Sequence, residues 1–138
     1  MQHIRKVPVL VVGGGPVGLA LAVALDRFGV DCLVVERSPT TTDQPKSRGC
    51  LVRTMELFRQ WGVEKAIRSR GLPDETDVWL MMERLVGPEY GRTKPEPRKG
   101  ESPTWKSMVP QDVVEEELLK AARAGYRQKT KRPSGSLD

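Results

Sequence analysis

The 138-residue sequence has few histidines, cysteines and aromatic residues. His3 is the only histidine, and Cys32 and Cys50 lack the spacing of a metal site or a disulfide framework. We therefore expect no histidine-based triad, no metal site and a reducing compartment. A length of 138 residues predicts one domain, and an aromatic content of 5% predicts a lean aliphatic core.

The chain also lacks a long apolar segment. The longest apolar stretch, residues 17–25, is too short to cross a bilayer. The apolar run at the N-terminus leads into glycines rather than into a cleavage site for a signal peptidase. The sequence therefore predicts a cytoplasmic protein without a membrane partner.

Positive charge is concentrated at the end of the chain. The formal net charge is +5, and residues 123–138 hold five basic residues and one acid, so residues 1–122 are close to neutral. We expect residues 125–138 to form a basic, disordered tail. The tail has no interleaved aromatic residues, so nucleic acid is not the expected partner.

A glycine-rich segment follows a short apolar run near the N-terminus. Residues 9–12 read Val-Leu-Val-Val, and residues 13–18 read Gly-Gly-Gly-Pro-Val-Gly. A strand, a glycine turn and a helix in this order are typical of a site for the diphosphate of a dinucleotide. Gly13 would permit the tight turn, Gly15 the approach of the phosphates and Gly18 close packing of the helix. Pro16 suits the first helical turn.

An acidic residue follows at the spacing typical of such a site. The pattern predicts a strand at 9–12 covered on both faces, a buried helix at 17–25 and a second strand at 31–35. Glu36 ends that strand 21 positions after Gly15, where an acid reaches the adenosine ribose. The predicted fold is α/β, with a Rossmann-like βαβ unit and parallel strands.

The rest of the chain contains weaker patterns. Residues 40–47 and 92–103 are rich in polar residues and proline, which favours exposed connections. Apolar spacing predicts helices at 54–61, 63–70 and 111–124. Residues 77–86 and 104–109 are interpreted as two strands that pair with each other.

Four sequence blocks resemble one family of flavoproteins. The blocks are VPVLVVGGGPVGLALAVAL, LVVERSP, PKSRGCLVRTMELFRQWGV and VPQDVVEEELLKAA. In this order they resemble the N-terminal part of the FAD-dependent aromatic-ring monooxygenases, the phenol and p-hydroxybenzoate hydroxylase group, over residues 5–124. The likeness implies a partial FAD-binding domain at 1–124, followed by the tail at 125–138.

The resemblance implies roles for individual residues. Gly13, Gly15 and Gly18 would hold the FAD pyrophosphate, Glu36 the adenosine ribose, and Arg37 would lie beside the adenine. Lys46 is the first candidate for the basic residue of a Pro-Arg/Lys-Ala segment, and Arg48 the second. Gln111 would contact the flavin side of FAD, and Arg53 also matches a motif position. Ser47 and Leu51 depart from the family pattern, which usually has alanine and often asparagine there.

The resemblance also implies an activity that this chain would not perform alone. Members of the family hydroxylate phenolic rings with NAD(P)H and O2, and they carry later Asp-Gly and Gly-Asp segments that are absent here. We expect a truncated or frame-shifted product without a catalytic residue of its own. Two alternatives remain open: an NAD(P)-binding oxidoreductase fragment, and a non-enzymatic remnant with a basic interaction tail.

Overall fold

The computed structural model describes residues 6–41, 44, 46–98 and 100–131, and of residues 126–131 only the backbone. The chain divides into two compact units, residues 1–47 with 111–138 (the first unit) and residues 48–110 (the second unit). The elements in chain order are β1 (Val9–Val12), α1 (Pro16–Arg27), β2 (Cys32–Val35), α2 (Val52–Gln60), α3 (Glu64–Arg68), β3 (Leu80–Met82), β4 (Glu89–Arg92) and α4 (Gln111–Lys131).

The first unit contains the predicted βαβ arrangement. β1 and β2 pair in parallel, with Val9 opposite Cys32 and Val12 opposite Val35. Parallel neighbours need a crossover, and α1 provides it. α1 ends where the Gly29 backbone adopts φ +73°, a conformation that favours glycine. The Rossmann-like α/β prediction for this segment is therefore confirmed.

Burial of β1 and α1 is less complete than the sequence pattern predicted. Val11, Leu19 and Val23 are buried, but Val12 is 79% exposed and Val17 is 81% exposed. The prediction that β1 is covered on both faces is therefore wrong for the described residues, because Leu10 and Val12, which share one face of the strand, are 56% and 79% exposed. A continuous apolar run indicates a tendency to be buried, but it does not identify the element that covers it.

α4 packs along α1 in the first unit. The two helices approach closely near Gly125, where a Cβ atom would overlap the Asp26 carboxylate. α4 begins at Gln111 as predicted but runs to Lys131, beyond the predicted end at residue 124. Residues 132–138 lie outside the described residues, so a disordered tail stays a prediction for them.

The second unit differs from the predicted strand pairing. β3 forms an antiparallel hairpin with β4 rather than with residues 104–109. Residues in that segment form two isolated bridges instead, Ser107 with Cys50 and Met108 with Leu72. A hairpin closes a short loop and therefore loses less chain entropy than the predicted long-range pair.

Across the described ranges, no helix combines the length and the apolar character that a membrane span requires. α4 has 21 residues, but acidic and basic side chains recur along it. The cytoplasmic location stays a prediction.

Candidate functional site

The turn between β1 and α1 depends on Gly13. Its backbone has φ +107°, a conformation that residues other than glycine rarely adopt. Its N–H donates a hydrogen bond to the carbonyl oxygen of Val35 at 2.8 Å. Gly13 therefore joins the turn to the end of β2, and its own N–H is already used within the protein.

The first turn of α1 has no side-chain cap. Gly15 precedes the helix with φ −76° and ψ −172°, and no described side chain hydrogen-bonds to the helix start. Pro16 is the first helical residue and has no N–H to satisfy. A Cβ at Gly15 would meet no atom within 4 Å. An anion can therefore approach the positive end of the helix dipole at this point.

Gly18 has the opposite environment. A Cβ built there would overlap the carbonyl oxygen of Gly13 and would lie 3.4 Å from Cγ1 of Val11. Any side chain at this position would push α1 away from the turn and from β1. The two glycines thus differ physically, because Gly15 borders open space and Gly18 fills a close approach.

Glu36 follows β2 and binds the glycine turn directly. Its carboxylate accepts hydrogen bonds from the backbone N–H of Gly14 at 2.6 Å and of Ser38 at 2.9 Å. Gly14 also needs to be small, because a Cβ there would lie 3.0 Å from the Cβ of Glu36. The carboxylate is therefore held beside the turn while its residue remains exposed to solvent.

These two hydrogen bonds favour the ionised form of Glu36. The N–H groups of Ser38 and Gly14 hold the pKa of the Glu36 carboxyl below its usual value, and the positive charge of Arg37 acts in the same direction. Arg37 itself is exposed. The strand end therefore presents a charged acceptor at neutral pH, which suits a pair of ribose hydroxyl donors.

A cavity of about 620 Å³ lies within the first unit. Gly14 and Glu36 line it, together with Leu33 of β2 and Leu119 of α4. Its volume falls within the range typical of small-molecule sites, and most such sites combine apolar walls with a few polar groups. The strand end that carries Glu36 thus borders a space large enough for part of a nucleotide.

The backbone of Lys46 meets the side chain of Gln111 at the start of α4. The Lys46 N–H donates to Oε1 of Gln111 at 3.3 Å, and the Gln111 N–H donates to the carbonyl oxygen of Ser47 at 3.0 Å. The Gln111 side chain also donates from Nε2 to Oε1 of Glu115 at 2.7 Å. The structure therefore brings together two predicted site residues that are far apart in sequence.

Two other basic candidates belong to the second unit. Arg48 is exposed. Arg53 lies in α2, where it forms an ion pair with Glu56 at 2.8 Å, and its side chain is 74% exposed. In the described part of the chain, the remaining predicted site residues, from Gly13 to Lys46 and Gln111, lie in the first unit.

Most of the chain matches one known protein family. Residues 6–132 match the sequence profile of the family described as FAD binding domain. The chain belongs to this FAD-binding domain family. FAD is therefore its cofactor, and the α/β fold with a parallel strand pair agrees with that assignment.

Relatives of this FAD-binding domain are flavin-dependent monooxygenases. The 2,4-dichlorophenol 6-monooxygenase of Delftia acidovorans is 37% identical over 136 residues, covering 88% of this chain and 22% of the relative. The tetracenomycin B2 monooxygenase-dioxygenase of Streptomyces olivaceus is 52% identical over 67 residues, covering 49% of this chain and 12% of the relative. The chain thus spans less than a quarter of either protein.

Solved structures show the same relationship. The crystal structure of the flavin-dependent monooxygenase PieE in complex with FAD and substrate superposes with a TM-score of 0.80 at 34% identity. It covers 90% of this chain and 23% of the PieE chain. The described fold therefore corresponds to a limited part of a larger flavoprotein fold.

Two residues of the site were missed by reasoning from the sequence. The sequence pattern assigns no role to Gly14, yet its N–H binds Glu36 and its lack of a side chain admits that carboxylate. Glu115 is not among the residues that the sequence predicts for the site, yet it is 3% exposed and bonds to Gln111. The run of three glycines and the four-residue spacing from Gln111 were the available indications.

Proposed function

We propose that the first unit binds the ADP half of FAD at the start of α1. The diphosphate accepts hydrogen bonds from the N–H groups of the first helical turn, beside Gly15 and Pro16. The ribose hydroxyls donate to Glu36, and Arg37 lies beside the adenine. The observation that carries this proposal is the uncapped helix start, which has open space at Gly15 and close packing at Gly18.

The flavin side of the cofactor is assigned to the start of α4. Gln111 and the segment at Lys46 are held together by two hydrogen bonds, one to the Gln111 side chain and one from its backbone N–H. Lys46 is exposed, so its charge is available to an anionic cofactor, and Arg48 is the second candidate. Gly13 supports the turn through its bond to Val35 rather than through a free N–H.

The activity belongs to the longer protein of which such a domain is a part. We propose that it hydroxylates an aromatic ring, with NAD(P)H as reductant and O2 as oxidant. Relatives named 2,4-dichlorophenol 6-monooxygenase and phenol 2-monooxygenase support this substrate class. FAD supplies the oxygen chemistry, and the residues of this chain bind and orient it.

A single methyl group at Gly15 tests the diphosphate position. Gly15→Ala should fold normally, because its backbone angles suit alanine and a Cβ there meets open space. The same methyl group would obstruct the approach of the phosphates, so we expect FAD and ADP to bind about tenfold more weakly, a loss of about 1.4 kcal/mol. Flavin fluorescence and ligand-induced shifts in Tm measure the loss.

Gly91→Ala is the matched control. It adds the same methyl group in β4, where a Cβ would make ordinary contacts with Met81 at 3.5 Å or more. It should bind FAD as the unsubstituted chain does. Equal FAD affinity of Gly15→Ala and the unsubstituted chain would contradict the proposed diphosphate site, and stronger protection by NADH than by FAD would favour a nicotinamide cofactor instead.

A further inference from the structure

We infer that Glu115 is a positioning residue that orients the Gln111 side chain and, through it, the backbone at Lys46. This inference rests on the proposed function, in which Gln111 and Lys46 belong to the cofactor site. Glu115 itself is 3% exposed, so it is placed to act through its neighbour rather than on a ligand.

The spacing of the two residues on α4 produces the contact. Gln111 and Glu115 are four residues apart, so their side chains lie on the same face of the helix. Gln111 donates from Nε2 to Oε1 of Glu115 at 2.7 Å. A carboxylate is costly to bury unless hydrogen bonds satisfy it, and here a neighbouring amide supplies one of them.

The chemistry of the pair determines which way the Gln111 amide faces. An ionised carboxylate only accepts hydrogen bonds, so the NH2 group of Gln111 must face Glu115. Oε1 of Gln111 then faces the Lys46 N–H, from which it accepts at 3.3 Å. A reversed amide would bring two oxygen atoms together at one end and two N–H donors at the other.

Two hydrogen bonds link the start of α4 to residues 46 and 47, and the oriented amide accepts one of them. The other runs from the Gln111 N–H to the carbonyl oxygen of Ser47 at 3.0 Å. One bond is donated to Gln111 and the other is donated by it, so together they fix the distance and the rotation of residues 46 and 47 relative to α4. Glu115 therefore controls where the exposed Lys46 is presented.

The test compares Glu115→Gln with Glu116→Gln in the full chain. Both substitutions remove one negative charge from α4, but Glu116 is partly exposed and pairs with Lys120. Glutamine at 115 has a donor as well as an acceptor, so it no longer imposes one direction on Gln111. We expect the Lys46 amide to exchange with solvent about fivefold faster in Glu115→Gln, as for the loss of one net hydrogen bond.

FAD affinity provides the second measurement. We expect Glu115→Gln to bind FAD about fivefold more weakly and Glu116→Gln to leave both exchange and affinity unchanged. An unchanged Lys46 exchange rate in Glu115→Gln would overturn the inference, since Glu115 would then contribute only packing. Equal effects of the two substitutions would also overturn it, because they would indicate a general effect of charge.

A measurement without substitution covers the case in which Glu115→Gln does not fold. The side-chain amide protons of Gln111 should exchange more slowly than those of Gln60, which is exposed on α2. Equal rates would overturn the inference. If the unsubstituted chain binds no FAD, the proposed function fails, and Lys46 exchange in the ligand-free chain still decides the role of Glu115.

Discussion

The two units of this chain use polar groups differently. In the first unit, backbone N–H groups at the start of α1 have no side-chain cap, and Glu36 lies exposed beside them. In the second unit, charged side chains bind one another and the nearby backbone. Arg68 forms ion pairs with Glu64 and Asp74, each at 3.6 Å, and also donates to the backbone between α3 and α4.

The difference indicates which unit is built to receive a ligand. Charged groups that are already paired in the protein have little capacity left for a ligand, and breaking them costs stability. An uncapped helix start keeps its donors available for an anion at no such cost. Substitutions should therefore separate the units: those in the second unit should change stability, whereas only some in the first should change cofactor affinity.

The largest expected effect is on the packing of α1. Gly18→Ala would place a methyl group against the carbonyl oxygen of Gly13. The helix would have to move to relieve this overlap. We expect the free energy of unfolding to fall by about 2–3 kcal/mol, the upper range for overpacking. Urea denaturation followed by circular dichroism measures it. Val17→Ala, at an 81% exposed neighbour, should change stability far less, and a stable Gly18→Ala would show that α1 has room to shift.

The next effect concerns the ion pairs of the second unit. Arg68 is 29% exposed and donates to the Trp105 carbonyl oxygen at 2.5 Å as well as pairing with Glu64. Arg68→Ala leaves the Trp105 carbonyl oxygen without this donor and removes one ion pair of Glu64, which keeps Arg59 and Thr104 as partners. We therefore expect a loss of about 2 kcal/mol in the free energy of unfolding. Arg92→Ala removes a 60% exposed arginine that pairs with Glu89, and should cost much less stability, because solvent screens an exposed ion pair.

Equal losses in these two variants would contradict the distinction between a buried network and a surface pair. A change in FAD affinity of Arg68→Ala, measured where the variant remains folded, would contradict the separation of the two units by function. Urea titration and flavin fluorescence on the same samples distinguish these outcomes.

Local patterns explain which parts of the fold were predictable. β1, α1 and β2 were predicted within a few residues because turn glycines, apolar periodicity and the terminal acid lie close together in sequence. The β3–β4 hairpin was missed because Glu89–Arg92 contains no run of apolar residues. The bridges of Ser107 and Met108 depend on distant partners that no local pattern identifies.

The candidate site also combines residues that local sequence patterns predict with contacts that depend on the fold. Gly13, Gly15, Gly18 and Glu36 follow from spacing within one βαβ unit. The bond between Glu36 and Gly14, and the link from Glu115 through Gln111 to Lys46, depend on side-chain directions that only the folded chain defines. Sequence spacing therefore suggested these candidate residues, and the structure added neighbours that contact the candidates.

The smallest expected effect is the pH dependence of Glu36. The N–H groups of Ser38 and Gly14 lower the pKa of this carboxyl in the folded chain, so its stabilisation is present above the unfolded pKa and is lost as pH falls through the folded pKa. Glu36→Gln should therefore have a lower Tm than the unsubstituted chain at pH 7, and the difference should shrink below about pH 4. Glu83→Gln, at an exposed position of the second unit, is the control for the loss of one carboxylate. A Tm difference for Glu36→Gln that is constant from pH 7 to pH 3 would contradict this prediction, because the contribution of the hydrogen bonds to Gly14 and Ser38 would then not depend on the charge of Glu36.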